Sequence, residues 1–396
     1  MAMISSVTLG FAISQGNFVN AVDYTLDTLD QAESIEIMTY QMPNVVGENI
    51  DATALVLFPN LPKPDDGWRI VVWAHGTVGV SHSCAPSLNS LNSTFRLIAH
   101  NLLDAGYVVV APDYEGLGSS GIHPYLNLES EANAIIYSVK ALQSRYGEDF
   151  QGDWMVVGQS QGGQASLGAA EYANEDPRFK GAVAGAPASN LDQIIQQIAP
   201  IALSQLEDHE NRAGIALEQR NSIHSYATLL SYGAFIGIGI RAEYPEFDYL
   251  SLFREHTRGI AQHVAGTTGT NGLCLESLRA LFKADLIRYL TDHSEAKLMS
   301  YPGLDLESFE DNTILQQFFV KNQPGTKRLD KPVLVIQGEL DTNVPAIVTE
   351  TMVQHMKSLG SQSVNLILVP EAGHREAIIW KNNEVVTFIQ RYMPAR

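Results

Sequence analysis

The stretch Trp154–Ala170, WMVVGQSQGGQASLGAA, decides how this chain is read. An apolar run stops at Gly158, Ser160 follows between two glutamines, and small residues continue to Ala170. Gly158-Gln159-Ser160-Gln161-Gly162 fits G-x-S-x-G, in which a serine sits on a sharp turn from strand to helix. Glycines two positions to either side let neighbouring backbone pass without a Cβ clash. The pattern alone arises by chance in about one chain in seven of this length, with Gly and Ser each at roughly 7%. The WMVV run before it and GGQASLGAA after it supply the strand–turn–helix context. Such a turn holds the Ser160 hydroxyl clear of the sheet and leaves the Gln161 N–H free to face a reacting group.

Working outward, strands and helices alternate. SIEIMTY (34–40), ATALVLF (52–58) and RIVVWAH (69–75) read as strands, the last two rich in β-branched and aliphatic residues. TFRLIAHNLLDAG places Phe95, Ile98 and Leu102 on one helical face and ends at Gly106. YVVVAPD is a buried strand stopped by Pro112, and Ala132, Ile135, Ile136, Val139 and Leu142 follow at helical spacing. WMVVG, a small-residue helix and the strand GAVAGAPA come next. This order predicts an α/β fold, a mostly parallel sheet covered by helices on both faces. From 191 to 330 the pattern turns helical, with polar runs and the glycine-rich GTTGTNG (266–272). Alternation resumes with KPVLVIQGELD, a helix from about Pro345, SVNLILVPEAGH and a final helix. The expected organisation is therefore a core over 1–190, a helical cap or lid over 191–330, and the second part of the core over 331–396. No internal repeat or low-complexity tract interrupts it.

A serine needs a base to take its proton, and the base needs an acid to fix its tautomer. On this architecture the chain order is Ser, then Asp or Glu, then His. Asp341 stands just past the strand VLVIQG, with Pro345 opening the next helix; Glu339 is the competing acid, nearer the strand. An Asp after a strand also serves as a helix cap. His374 follows the last strand through a turn containing Gly373. Both emerge at the carboxyl edge of the sheet, with Ser160, where ligands bind in open α/β folds. The first oxyanion donor is the backbone N–H of Gln161. VVWAHGTVG ends a strand in His75-Gly76-Thr77, which assigns the second to Thr77, with His75 bracing the loop. A rival pattern, GLGSSG (Gly116–Gly121), matches G-x-G-x-x-G after a strand, but no helix opens on it and a dinucleotide site is not expected.

The 396 residues are 45% hydrophobic and 17% charged, enough apolar material for a sizeable core. A net charge of −19 argues against nucleic acid and anionic lipid, because phosphate binding needs clustered Lys and Arg. The longest apolar-plus-Gly run near the middle, AFIGIGI (234–240), is far short of the ~20 residues a bilayer needs. The N-terminal MAMISSVTLGFAIS lacks the basic start of a signal peptide, as in a cytosolic chain or one whose leader has been removed. The two cysteines, Cys84 and Cys274, have no CxxC or zinc-site spacing. They fit either two free thiols or one disulfide in an oxidising compartment.

Ser160, Asp341 and His374 in that order, with AHGT early, resemble the α/β-hydrolase superfamily. Within it, AHGTVGVSHSCAPS, APDYEGLGSSGIHPYL, GQSQGG and AGAPASNL resemble the secretory lipases of the fungal lipase A type. The likeness spans roughly Arg69–Ala188 and Lys331 to the C-terminus and is poor between them. It implies carboxylic ester hydrolysis, a helical lid and often secretion, and it favours a Cys84–Cys274 disulfide, which such enzymes often carry; the expected location is secreted or periplasmic, otherwise cytoplasmic. The reading at this stage is a serine lipase or esterase acting through an acyl-enzyme, with no metal or organic cofactor. Its partner is a small-molecule or lipid ester, with transient contact at a lipid interface through the cap. Phe235, Ile236, Ile238 and Leu281 are expected to line the acyl pocket, or else simply to pack the cap. An acyltransferase or serine peptidase of the same fold would keep the three residues. A non-catalytic binding protein would usually have lost one.

Overall fold

The computed structural model describes residues 17–266 and 271–396; the N-terminal stretch and the centre of GTTGTNG lie outside the described residues. Nine strands form one sheet: β1 Phe18–Asp23, β2 Ala32–Pro43, β3 Asn49–Pro59, β4 Trp68–Ala74, β5 Val108–Pro112, β6 Phe150–Gln159, β7 Phe179–Gly185, β8 Val333–Gly338 and β9 Val364–Val369. Their spatial order is β1-β2-β3-β5-β4-β6-β7-β8-β9. The first three run antiparallel to their neighbours, and the other six are mutually parallel.

The parallel strands read as continuous apolar runs because both faces are covered. Ile70, Val72 and Ala74 of β4 join Trp154 and Val156 of β6 in one core. Val71 and Trp73 join Met155 and Val157 in a second core across the sheet. Helix α1, Ser93–Asp104, covers the second face, capped by the Asn92 side chain accepting from the Phe95 N–H. Helices α2, Leu128–Tyr146, and α3, Gln161–Tyr172, contribute to the first. The edge strand β1, FVNAVD, is the one strand the sequence pattern does not announce: it is short, and its Val19 and Val22 are exposed.

Between Gly185 and Val333 the described residues carry helices and one isolated bridge, Phe253 to Leu304. The longest helices here are α4, Ala199–Arg212, α5, Asn221–Arg241, and α6, Leu275–Asp292. Helix α5 is long and apolar enough to cross a membrane, yet 89% of its apolar window is buried inside the protein. A helix apolar all round is a buried one. It centres a third apolar core, shared with Tyr125, Leu126 and Ala188 from the sheet's carboxyl edge. Helix α7, Ala346–Ser358, follows β8. The expected single C-terminal helix is divided in two, Glu376–Trp380 and α8, Asn382–Tyr392.

Candidate active site

Ser160 caps α3 with φ +61° and ψ −117°, a region an L-residue enters only under strain. The flanking glycines make that turn possible. A Cβ on Gly162 would lie 1.8 Å from the Ala74 carbonyl oxygen, and one on Gly158 would lie 2.1 Å from that of Gly162. No side chain fits at either position. The turn is tied to the sheet by the Ser160 N–H donating to the Gly185 carbonyl at 2.8 Å.

Ser160, Asp341 and His374 come from three strand ends at one edge and meet. The Ser160 Oγ lies 2.9 Å from His374 Nε2, and His374 Nδ1 lies 2.7 Å from Asp341 Oδ2. Asp341 Oδ1 accepts from the Asn343 and Val344 N–H groups at 2.8 and 2.9 Å, and Oδ2 accepts from Gln337 Nε2 at 3.0 Å. Burial alone would raise the Asp341 carboxyl. The charge and hydrogen bond of His374, with those backbone donors, outweigh it and hold the carboxyl below its ordinary range. It is therefore a carboxylate that both caps a turn and fixes the imidazole. Glu339 points to solvent. The two loops are stitched together, since a Cβ on Gly338 would meet the Ala372 and Gly373 carbonyls at 2.4 Å.

The glutamines on either side of Ser160 have distinct duties. Gln159 Nε2 donates to the His374 carbonyl at 3.0 Å, pinning the base loop to the serine turn. Gln161 turns the other way, into the protein, with its Nε2 2.7 Å from Glu131 Oε1. Its backbone N–H belongs to the first helical residue and has no intrahelical acceptor. The His75–Val78 loop passes close by: a Cβ on Gly76 would sit 3.7 Å from Ser160 Cβ. Thr77 Oγ1 is 2.7 Å from the Tyr125 hydroxyl. His75 is buried, with its ring nitrogens 2.8 Å from the Gly76 carbonyl and 3.2 Å from that of Asp113, and it braces loops without touching Ser160 or His374.

Residues 89–220, which contain Ser160, match the secretory lipase family, and residues 283–394, which contain Asp341 and His374, match the prolyl oligopeptidase family. No curated protein matches the sequence. Among solved structures, the rice cell wall degrading esterase LipA from Xanthomonas oryzae superposes with a TM-score of 0.67 at 16% identity, over 97% of this chain and 100% of that one. Candida antarctica lipase A in its closed state gives 0.66 at 16% identity, over 96% of this chain and 82% of that one. The chain has the α/β-hydrolase fold. The secretory-lipase match covers the segment that carries Ser160, and the two neighbours share the fold over nearly the whole chain.

The protein has a cavity at the serine lined by Ser160, Tyr125, Leu126, Leu191, Ile195, Leu229, Tyr232 and Ile236, among others. Of the expected pocket residues only Ile236 lines it. Phe235 is fully buried one layer behind, its ring against Tyr125 at 5.8 Å. Ile238 lies in the helical core and Leu281 is 38% exposed on α6. The reason is angular. Leu229, Tyr232 and Ile236 stand at i, i+3 and i+7 and share one face of α5, whereas Phe235 and Ile238 fall on others. Cys84 and Cys274 form a disulfide, and the Leu275 N–H donates to the Val78 carbonyl at 2.8 Å. The loop after β4 is thus fastened to the start of α6. The glycines of GLGSSG serve the loop itself: a Cβ on Gly116 would meet the His123 N–H nitrogen at 2.5 Å, and one on Gly118 would meet Thr53 Oγ1 at 2.4 Å.

Proposed function

We propose that this α/β-hydrolase cleaves carboxylic esters through a covalent acyl-serine. The observation that carries the reading is the position of His374, whose two ring nitrogens engage Ser160 and Asp341 at once. In the first half-reaction His374 Nε2 takes the Ser160 proton as Oγ bonds to the ester carbonyl carbon, and Asp341 stabilises the imidazolium. The tetrahedral oxyanion is held by the N–H groups of Thr77 and Gln161. Collapse returns the carbonyl and breaks the bond to the alcohol, which leaves with the proton from His374. Water then repeats the sequence and releases the acid.

The acyl group is apolar in this reading, because the cavity at Ser160 is walled by Leu126, Leu191, Ile195, Leu229 and Ile236. As it stands that cavity holds about 40 Å³, room for only about three waters. The helical segment from 191 to 330 therefore acts as a lid that gives way to the acyl chain, and contacts a lipid interface when it does. Activity on tributyrin should rise past its solubility limit; a flat response would make the protein an esterase with a fixed cap. The disulfide fits an oxidising compartment, secreted or periplasmic, as the secretory-lipase match suggests.

The second reading, a serine peptidase, draws on the prolyl oligopeptidase match over the segment that carries the acid and base. Hydrolysis of p-nitrophenyl butyrate by the wild type and its loss in Ser160→Ala, with the fold intact by circular dichroism, tests the proposal. Cleavage of prolyl anilides with esters left untouched would favour the peptidase. Full ester hydrolysis in the variant would refute the serine's role.

A further inference from the structure

Beneath the serine turn lies a fully buried polar cluster that the mechanism above does not use. Gln161 is 1% exposed, and Glu131 and His123 are 0% exposed. Gln161 Nε2 lies 2.7 Å from Glu131 Oε1 and 3.0 Å from His123 Nε2. His123 Nδ1 is 2.8 Å from the Glu115 carbonyl, which can only accept, so Nδ1 carries the proton and Nε2 is a bare acceptor. Both amide hydrogens of Gln161 are then taken, one by Glu131 and one by His123. Rotating the amide would set its oxygen against the bare His123 Nε2, so that ring fixes its orientation. Glu131 Oε1 also accepts from the Leu126 N–H at 2.9 Å, in a residue held at φ +63° beside Ser160. One residue earlier, Tyr125 reaches Thr77.

A single segment, 123–131, a loop running into the first turn of α2, therefore grips the side chains of both residues assigned as oxyanion donors. Resting on the ester-hydrolase reading, we propose that this loop is the brace of the oxyanion hole, with Glu131 a positioning residue that sets the Gln161 amide and must be uncharged when the oxyanion forms. A carboxylate at Oε1 would place negative charge on the side chain of the donor residue, in a low-dielectric interior where it opposes the developing oxyanion.

The surroundings support an uncharged Glu131. Facing it are Gln161 of α3 and the rings of His123, Tyr114 and Tyr125, with Glu115 reached through Ser130. No Lys or Arg pairs with it among the described residues. Burial pushes its carboxyl up to about 8, against the opposing pull of the Gln161 and Leu126 hydrogen bonds. Burial pushes His123 down to about 3, so that ring is neutral throughout the working range. Burial raises Glu115 to about 7, below Glu131, and raises both tyrosines far above it.

The test is kcat and KM for p-nitrophenyl butyrate from pH 6 to 10 in the wild type, Glu131→Gln, Glu131→Ala and Tyr125→Phe. Glu131→Gln, the same shape without the charge, should keep kcat within about threefold at pH 7 and hold it above pH 8, where the wild type declines. Glu131→Ala should lower kcat roughly 10- to 100-fold with KM within about twofold, the signature of lost transition-state stabilisation. Tyr125→Phe should lower kcat roughly tenfold. Wild-type kcat in Glu131→Ala, or an alkaline decline in Glu131→Gln identical to that of the wild type, would overturn the brace while leaving the ester-hydrolase reading intact. A wild type inert toward every ester would instead sink that reading, and this one with it.

Discussion

His374 Nε2 lies 2.9 Å from the hydroxyl oxygen of Ser160, across 214 positions of chain. Parallel strands bring the two together: β6 and β9 end at the same edge, and the turn after each points its functional side chain above the sheet. Asp341, after β8, completes the line at 2.7 Å from Nδ1.

Removing the imidazole or the carboxylate should divide sharply in rate. His374→Ala is expected to lower kcat by about 10⁶-fold and Asp341→Asn by about 10⁴-fold, with KM little changed. Steady-state kinetics on a short nitrophenyl ester, with circular dichroism to show an intact fold, checks both. A loss in Asp341→Asn smaller than tenfold would show that Asp341 neither orients nor stabilises the imidazole.

Backbone crowding at the serine turn gives a second expectation. Gly162→Ala forces a methyl onto the Ala74 carbonyl and should destabilise the protein by more than about 3 kcal/mol, or prevent folding. Gly259→Ala, in an exposed helical position with nothing near its Cβ, should instead stabilise by about 0.5–1 kcal/mol. Urea midpoints of the two variants should move in opposite directions.

The disulfide closes a loop across 190 positions and fastens the loop after β4 to the start of α6. Chain entropy sets its contribution at up to about 5 kcal/mol. Cys84→Ser with Cys274→Ser should lower the melting temperature by several degrees, and reductant should do the same to the wild type. An unchanged melting temperature in both would show that the crosslink leaves stability untouched.

The buried acids set a pH dependence whose sign is fixed. Glu115 and Glu131 have folded values raised to about 7 and about 8, above their unfolded value of 4.5. Between the unfolded and folded values the native state holds protons that the unfolded chain has lost, so stability falls as pH rises. His123 and His75, pushed down by burial, act oppositely, but only below about 6.5, where the unfolded chain would protonate them. Urea midpoints should therefore decline between pH 6.5 and 8, and Glu131→Gln should flatten the decline. A midpoint that rises over that window would contradict the burial argument.

Much of this site was legible in one dimension, and the reason is local. The turn around Ser160 is written in residues two apart, and an acid or imidazole just past a buried strand has one place to go. Eight of the nine strands follow from apolar runs or from alternation; only β1, short and exposed at the sheet edge, escapes that logic. The cavity wall was harder. Helix α5 is apolar on every side, so its sequence marks no face, and Leu229 and Tyr232 are indistinguishable from Phe235 and Ile238 until the fold is known. Glu131 reads as an ordinary acid in the first turn of α2. Its bond to Gln161, 30 positions away, exists only because the first turn of α2 packs under the serine.

The cavity at Ser160 and a second apolar cavity beneath it share Ile195 and Leu229 in their walls. Leu229→Ala should join the two and shift preference toward longer acyl chains. At about 0.8 kcal/mol per buried methylene, the octanoate-to-butyrate ratio of kcat/KM should rise at least roughly fivefold. A profile unchanged from C4 to C10 would place the acyl chain elsewhere.

The central claim is that Ser160 is the group acylated in turnover. The most direct measurement is mass spectrometry of the intact protein and its peptides after stoichiometric treatment with diethyl p-nitrophenyl phosphate. The account predicts a single diethylphosphoryl adduct on Ser160, loss of ester hydrolysis in step with labelling, and no adduct in His374→Ala. An adduct on another residue that tracks the loss of activity, or full hydrolysis by protein labelled at Ser160, would contradict it.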